Sequence, residues 1–277
     1  MKVGFIGTGN MGGAILKCFA KSDLGRESDI YVLNRNAQHN REMAKAAGTG
    51  IVIPDDCEHM AELADIIVIG VKPKDIDEVL DALRKALDRR PADAEKKLIV
   101  SMAAGVSIEH IEAKIGSGGR VLRIMPNTPA QVGQAMTSIT RGTGVTGEEL
   151  ADITEIFETV GRVEEVPEDM IDCVIGVSGS SPAYTYMYIQ ALAEAAAANG
   201  MTPDKARKFA AQAVLGAAEM VLHNERETLE QLRINVCSPG GTTIEAVNAL
   251  RANGFMDDVR EGFQAAVDRS IEMTRDK

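Results

Sequence analysis

Val3-Gly4-Phe5-Ile6-Gly7-Thr8-Gly9-Asn10-Met11-Gly12 runs from a short apolar segment through glycines spaced G-x-G-x-x-G into an amphipathic stretch. Strand, tight turn and helix start are therefore in register. In that setting Gly7 makes the turn, Gly9 lets the backbone approach a pyrophosphate, and Gly12 lets the helix sit close to the sheet. With Thr8, Asn10 and Met11 between them, these residues present free N–H groups of a helix N-terminus to an anion. A dinucleotide site on a parallel sheet is the expectation.

Working outward, short runs rich in β-branched residues recur at Val3 to Ile6, Ile30 to Leu33, Ile66 to Ile69, Leu98 to Val100 and Val121 to Met125, with a weaker one at Ile51 to Ile53. Amphipathic segments lie between them, which is the rhythm of βαβ units. Ala135 to Thr140 and Val163 to Val166 predict two further strands around a helix over Glu148 to Val160. From about Asp169 onward strand signals vanish, and Ala-rich helical segments follow at Pro182 to Ala198, Pro203 to His223 and Thr242 to Ala252, with a last helix to Lys277. The expected fold is α/β: a Rossmann-type, doubly wound, mainly parallel sheet over residues 1–166, then an all-helical domain over 167–277.

The end of the second strand decides between nucleotides, because an acid there would bind a ribose 2′-hydroxyl and repel a 2′-phosphate. The chain reads Asn34-Arg35-Asn36 instead, an amide and a guanidinium where such a phosphate would sit. NADPH is the expected cofactor, with NADH as the alternative. Val71-Lys72-Pro73 and Ala103-Ala104-Gly105 follow later strands at the same sheet edge, and their small residues permit close backbone approach. Lys72 offers its charge either to a cofactor phosphate or to solvent. Asn127, between Pro126 and Pro129, stands in a rigid polar turn at a strand's carboxyl end.

In the helical half, Ser178-Gly179-Ser180-Ser181-Pro182-Ala183-Tyr184 reads as a flexible polar loop leading into a helix. Cys237-Ser238-Pro239-Gly240-Gly241-Thr242-Thr243 places two glycines and two hydroxyls directly before another helix, so consecutive N–H groups form an anion nest suited to a small carboxylate. A plain Thr-capped helix start would account for Thr242 but not for both glycines.

Composition narrows the classes. With 45% apolar and 26% charged residues the chain can build a core, and a net charge of −11 removes any generic attraction to nucleic acid or anionic lipid. Neither nucleic acid nor membrane is an expected partner. Cys18, Cys57, Cys173 and Cys237 form no CxxC pair, and His39, His59, His110 and His223 stand singly, so no metal site is expected. Reduced thiols and an N-terminus without a signal-peptide pattern lead to a cytoplasmic expectation. No Lys or Arg lies between Arg162 and Lys205. The lysine base of β-hydroxy-acid dehydrogenases of this fold has no counterpart there.

Over its whole length the chain resembles the pyrroline-5-carboxylate reductases. The resemblance is carried by Ile6-Gly7-Thr8-Gly9-Asn10-Met11-Gly12, Val71-Lys72-Pro73, Ser101-Met102-Ala103-Ala104-Gly105, Met125-Pro126-Asn127-Thr128-Pro129 and Ser238-Pro239-Gly240-Gly241-Thr242-Thr243, in that order. It implies NAD(P)H-dependent reduction of the cyclic imine acid 1-pyrroline-5-carboxylate to L-proline, the last step of proline synthesis. It further implies a homodimer or a dimer-based larger homo-oligomer, with interleaved helical domains and each substrate site drawing on two subunits. Carried over by position, Gly240, Gly241 and Thr242 hold the substrate carboxylate, and Thr243 lies near the imine nitrogen as the catalytic hydroxyl. Asn235 and Ser238 complete the expected substrate set. The chain departs from the family pattern at Thr228-Leu229, where His-Pro is usual, at Ile234, where an Asp is usual, and at Ser181, where Gly is common. Two other functions are compatible with the motifs: reduction of a six-membered homologue, and an NADP-binding module without catalysis.

Overall fold

The computed structural model describes every residue except Thr49, Ala92, Glu225, Asp276 and Lys277, and of Arg275 only the backbone. The chain divides into two compact units, residues 1–179 with 266–277, and residues 180–265. The first holds a seven-stranded sheet in the order β2-β1-β3-β4-β5-β6-β7. Its strands are β1 (Lys2–Ile6), β2 (Asp29–Leu33), β3 (Ile66–Ile69), β4 (Lys97–Ser101), β5 (Gly119–Met125), β6 (Ala135–Arg141) and β7 (Gly161–Glu165). The first five are mutually parallel, β6 runs antiparallel to β5, and β7 is parallel to β6.

The sheet is buried on both faces, which is why its central strands read as continuous apolar runs. One layer packs Val3, Phe5, Val68, Val100, Leu122 and Ile124 against Ile15, Leu16 and Phe19 of the helix Asn10–Lys21, and against Ile153, Ile156 and Phe157 of the helix Gly147–Glu158. The other packs Ile6, Ile67, Ile69 and Ile99 against Leu80 and Leu83 of Ile76–Leu87 and against Ile111 and Ile115 of Ile108–Ile115. Side chains of Asn36, Asp56, Ser107 and Thr146 cap four of the surrounding helices by accepting from first-turn N–H groups.

The run Ile51 to Ile53 is not a strand. Val52 alone bridges to the sheet edge, exchanging two backbone hydrogen bonds of 3.0 Å with Ile30 and Val32. Counted as a vestigial strand, it would give the open-sheet order 3-2-1-4-5-6, in which ligands lie outside the strand ends where the order reverses. That reversal falls between β1 and β3, where the Gly7–Gly12 and Gly70–Pro73 loops emerge.

The helix expected from Pro182 begins at Ser181, and of the residues expected to form a flexible loop before it, Ser178 and Gly179 are helical and Ser180 is a bend. Ile175–Gly179 makes a π-turn, with the Ser178 hydroxyl donating to the Val174 carbonyl at 3.1 Å, and a helix begins at Ser181. The contact boundary at Gly179 and the last strand signal at Val166 are separate features. Residues 167–179 and the end of the helix Phe255–Arg275 belong to the sheet-containing unit, where the Ser270 hydroxyl donates to Asp172 at 2.5 Å. The expected end of that helix, Asp276-Lys277, lies outside the described residues.

In the second unit the helices Ser181–Ala198 and Pro203–Leu222 pack on one another, followed by Leu229–Asn235 and Thr242–Ala252. Ser181–Ala198 buries none of its residues, and Tyr186, Met187 and Phe209 are 61%, 69% and 68% exposed. Among the described residues, no helix is long and apolar enough to cross a membrane.

Gly161 exposes the tightest joint of the sheet. It pairs with Ala135 across β6 and β7, and a Cβ added there would strike the Ala135 backbone, which has no room to retreat. Gly161→Ala is expected to cost about 2–4 kcal/mol, read as a lower urea midpoint at fixed protein concentration. An unchanged midpoint would contradict this packing.

Candidate active site

The Gly7–Gly12 turn is fixed by its neighbours. Gly7 has φ +85°, and a Cβ there would lie 2.7 Å from the Val71 nitrogen, while a Cβ at Gly12 would lie 2.6 Å from the Gly7 carbonyl oxygen. Gly70, unremarked in the sequence, is equally confined: a Cβ there would lie 2.5 Å from the same oxygen. Gly9 differs. Its φ of −66° suits any residue, and a Cβ there would meet no protein atom within 4 Å. Neither backbone nor packing requires glycine at this position. Its open side lines a cleft of about 470 Å³ beside Asn34, Arg35, Val71 and Lys72. The helix beginning at Asn10 has no side-chain cap and no acid in its first turn, so its N–H groups remain available to an anion. These residues fit the pyrophosphate of a dinucleotide.

Asn34 holds the turn rather than projecting from it. Its Oδ1 accepts from the Thr8 N–H at 2.7 Å, and its Nδ2 donates to the Thr8 hydroxyl at 2.9 Å and to Asn40 at 2.8 Å. The His39 ring contacts the Thr8 carbonyl at 2.8 Å. His39 and Asn40 were invisible as site residues in the sequence; their spacing on a helix that follows Asn34 is the signal that would have found them. Asn36 caps that helix. Arg35 is therefore the charged group of this segment that reaches the cleft, and its guanidinium pairs with Asp75 at 2.9 Å. Cys57 lines the same cleft as a neutral thiol: burial foremost, then the carboxylates of Asp56 and Glu78, pushes its pKa up to about 11. Exposed Lys72 contributes a cation to the rim, and the Pro73 to Asp75 turn follows it.

The other expected loops divide. Ala103 is buried, Ala104 half-buried, and Gly105 sits with its Cβ direction 3.1 Å from the Met273 carbonyl oxygen. The smallness of Gly105 is thus used in docking the chain's last helix. Asn127 donates to the Ser178 carbonyl at 3.0 Å and accepts from the Met136 N–H at 2.9 Å, so its amide ties three segments together.

In the helical unit, Ser238 to Gly241 form a turn closed by the Gly241 N–H donating to the Ser238 carbonyl at 3.0 Å. Gly240 has φ +69°, and a Cβ at Gly241 would collide with the Ser238 side chain. Both glycines serve the turn. The turn in turn delivers an 11-residue helix, Thr242–Ala252, whose start has no side-chain cap, with Thr242 and Thr243 both exposed. Asn235 is directed elsewhere: it donates to Glu227 at 2.7 Å and accepts from Gln231 at 2.8 Å. Thr228, at the position where the family pattern has His, caps Leu229–Asn235. Among the described residues no group of three or more His, Cys, Asp or Glu is arranged to hold a metal.

The chain matches two family models, that of pyrroline-5-carboxylate reductase dimerisation over residues 168–273 and that of NADP oxidoreductase, coenzyme F420-dependent, over residues 2–105. It is 41% identical over 274 residues to the pyrroline-5-carboxylate reductase of Escherichia coli strain K12, covering 99% of this chain and 98% of that one. A solved pyrroline-5-carboxylate reductase from Coxiella burnetii superposes with a TM-score of 0.89 at 33% identity, over 99% of this chain and 98% of that one. The Plasmodium falciparum pyrroline carboxylate reductase, solved with NADP bound, gives 0.84 at 28% identity over 99% and 98%. Kinship at this level runs through the glycine turn, the sheet and the helical unit alike, and the chain belongs to the pyrroline-5-carboxylate reductase family.

Proposed function

We propose that the protein reduces 1-pyrroline-5-carboxylate to L-proline with NADPH. The observation that carries this reading is the full-length kinship to the Escherichia coli reductase, which spans both the dinucleotide turn and the Ser238–Thr243 loop. Gly7 to Gly12 hold the pyrophosphate, Arg35 the adenosine 2′-phosphate, and Lys72 adds charge at the rim. Val71, Pro73, Ala103, Ala104, Gly105 and Asn127 complete the expected cofactor set through backbone or packing. NADPH, when bound, supplies the hydride that reduces the C=N bond.

The chain's own task is to hold and orient the imine acid. N–H groups of the uncapped helix start at Gly241 to Thr243 receive the carboxylate, and the Ser238 side chain supports the turn. The Thr243 hydroxyl orients or donates to the ring nitrogen. A cyclic imine acquires its proton from solvent, so no side chain with a strongly displaced pKa is required, and positioning supplies the rate.

The exposed apolar side chains of Tyr186, Met187 and Phe209 fit burial against a second copy, giving a homodimer or a dimer-based larger homo-oligomer. Dimerisation is what the family model over residues 168–273 describes. A cytoplasmic location accords with four free thiols.

Two experiments test this reading. Arg35→Ala is expected to remove about 1.5–3 kcal/mol of NADPH binding and leave NADH binding unchanged, since only the former carries the phosphate. Equal loss for both nucleotides would remove Arg35 from its assigned role. Comparing five- and six-membered cyclic imine acids as substrates should show faster NADPH oxidation with the five-membered ring; the reverse order would reassign the substrate to the homologue.

A further inference from the structure

We propose that Asp75 sets the nucleotide preference of this chain by competing with the adenosine 2′-phosphate for Arg35. The proposal rests on the reading of Arg35 as the ligand of that phosphate. The pair is bidentate, with Arg35 Nη2 on Asp75 Oδ2 at 2.9 Å and Nη1 on Oδ1 at 3.4 Å. Its partners come from opposite lips of the cleft, Arg35 from the loop after β2 and Asp75 from the turn after β3. Their surroundings are unequal: the Asp75 side chain is 15% exposed and that of Arg35 76%. The carboxylate is the enclosed member and the guanidinium the solvent-facing one.

Asp75 occupies the N-cap position of the helix Ile76–Leu87, where an aspartate ordinarily accepts from the first-turn N–H groups. It makes no such bond. The 3-10 turn Pro73–Asp75 leaves its backbone at φ −103°, ψ −1°, outside the extended geometry a capping side chain needs, and the carboxylate turns to Arg35 instead. Asp55, Asp56 and Glu78 line the same cleft, so four carboxylates face two cations, Arg35 and Lys72. A phosphate carrying nearly two negative charges either draws from Asp75 the N–H groups that face the carboxylate or takes the remaining donors of a guanidinium that the carboxylate already neutralises, and in both cases it lies near Asp75. A ribose 2′-hydroxyl requires no exchange. Asp75 therefore narrows the advantage that Arg35 gives to NADPH.

The test titrates full-length wild type, Asp75→Asn, Asp75→Glu, Arg35→Ala and the Asp75→Asn/Arg35→Ala double variant with adenosine 2′,5′-bisphosphate and with 5′-AMP by calorimetry. These ligands differ only in the 2′-phosphate. Asp75→Asn is expected to bind the bisphosphate about five- to tenfold tighter, with 5′-AMP within about twofold of wild type. Asp75→Glu, which keeps the charge, should stay near the wild-type ratio. In the Arg35→Ala background the gain should largely disappear, because the carboxylate then has no guanidinium to withhold. An unchanged ratio in Asp75→Asn overturns the proposal, and so does an undiminished gain without Arg35. If wild type binds the two ligands equally and Arg35→Ala changes neither, the underlying reading of Arg35 has failed and the role of Asp75 falls with it.

Discussion

Gly12→Ala is expected to weaken NADPH binding by at least about 100-fold, because the new methyl would stand 2.6 Å from the Gly7 carbonyl oxygen. The atom struck is backbone, and Gly7 has a positive φ with space for no Cβ of its own, which would lie 2.7 Å from the Val71 nitrogen, so the turn has little room to yield. The helix Asn10–Lys21 must move off the sheet, taking with it the N–H groups that face the phosphate. Fluorescence titration with NADPH measures the loss, and thermal unfolding separates a displaced helix from a chain that no longer folds. An affinity within twofold of wild type would show that this turn does not hold the nucleotide. Gly9→Ala makes the useful contrast, since its methyl meets no protein atom within 4 Å: the fold should be untouched while nucleotide affinity falls.

Thr243→Ala should lower kcat by about 30- to 100-fold with NADPH affinity near wild type, as expected when a hydroxyl acts on the reacting ring alone. Thr243 is exposed at the second position of its helix, so the substitution leaves no buried group unpaired. Thr243→Ser, which keeps the hydroxyl, should recover most of the rate. Loss of NADPH binding in the alanine variant would overturn the division of labour between the glycine turn and the Ser238–Thr243 loop. A normal rate would remove the hydroxyl from the chemistry.

The parallel sheet was legible because strands buried on both faces are written as runs such as Ile66 to Ile69, where neighbouring side chains face both core layers. Ile51 to Ile53 has the same composition, yet only Val52 pairs. It runs beside an edge, where β propensity alone does not create a ladder. Ser178 to Ser181 misleads for a different reason: Gly and Ser mark turns in isolation, but here the π-turn Ile175–Gly179 carries helical backbone almost to the helix start at Ser181.

For the site, the glycine spacing was readable since it encodes local geometry. Partners distant in sequence were not. Nothing in Asn34-Arg35-Asn36 reveals that Asn34 is bonded to Thr8, that Asn36 caps a helix, or that Arg35 meets a carboxylate 40 residues away. Asn127 and Asn235 likewise look like ligands in sequence, and their amides are engaged with Ser178 and Met136, and with Glu227 and Gln231. The two glycines at 240 and 241 invite a ligand-based explanation, although the positive φ of Gly240 and the Ser238 side chain packed over Gly241 give each a role in the turn itself.

The decisive measurement mixes purified protein with NADPH and 1-pyrroline-5-carboxylate, follows the loss of reduced-cofactor absorbance, and identifies the product against added NADPH. One L-proline formed per NADPH oxidised, with no oxidation when the imine is omitted, is the predicted result. NADPH that binds and stays reduced in the presence of the imine would contradict the assignment, leaving a nucleotide-binding protein with another substrate or none.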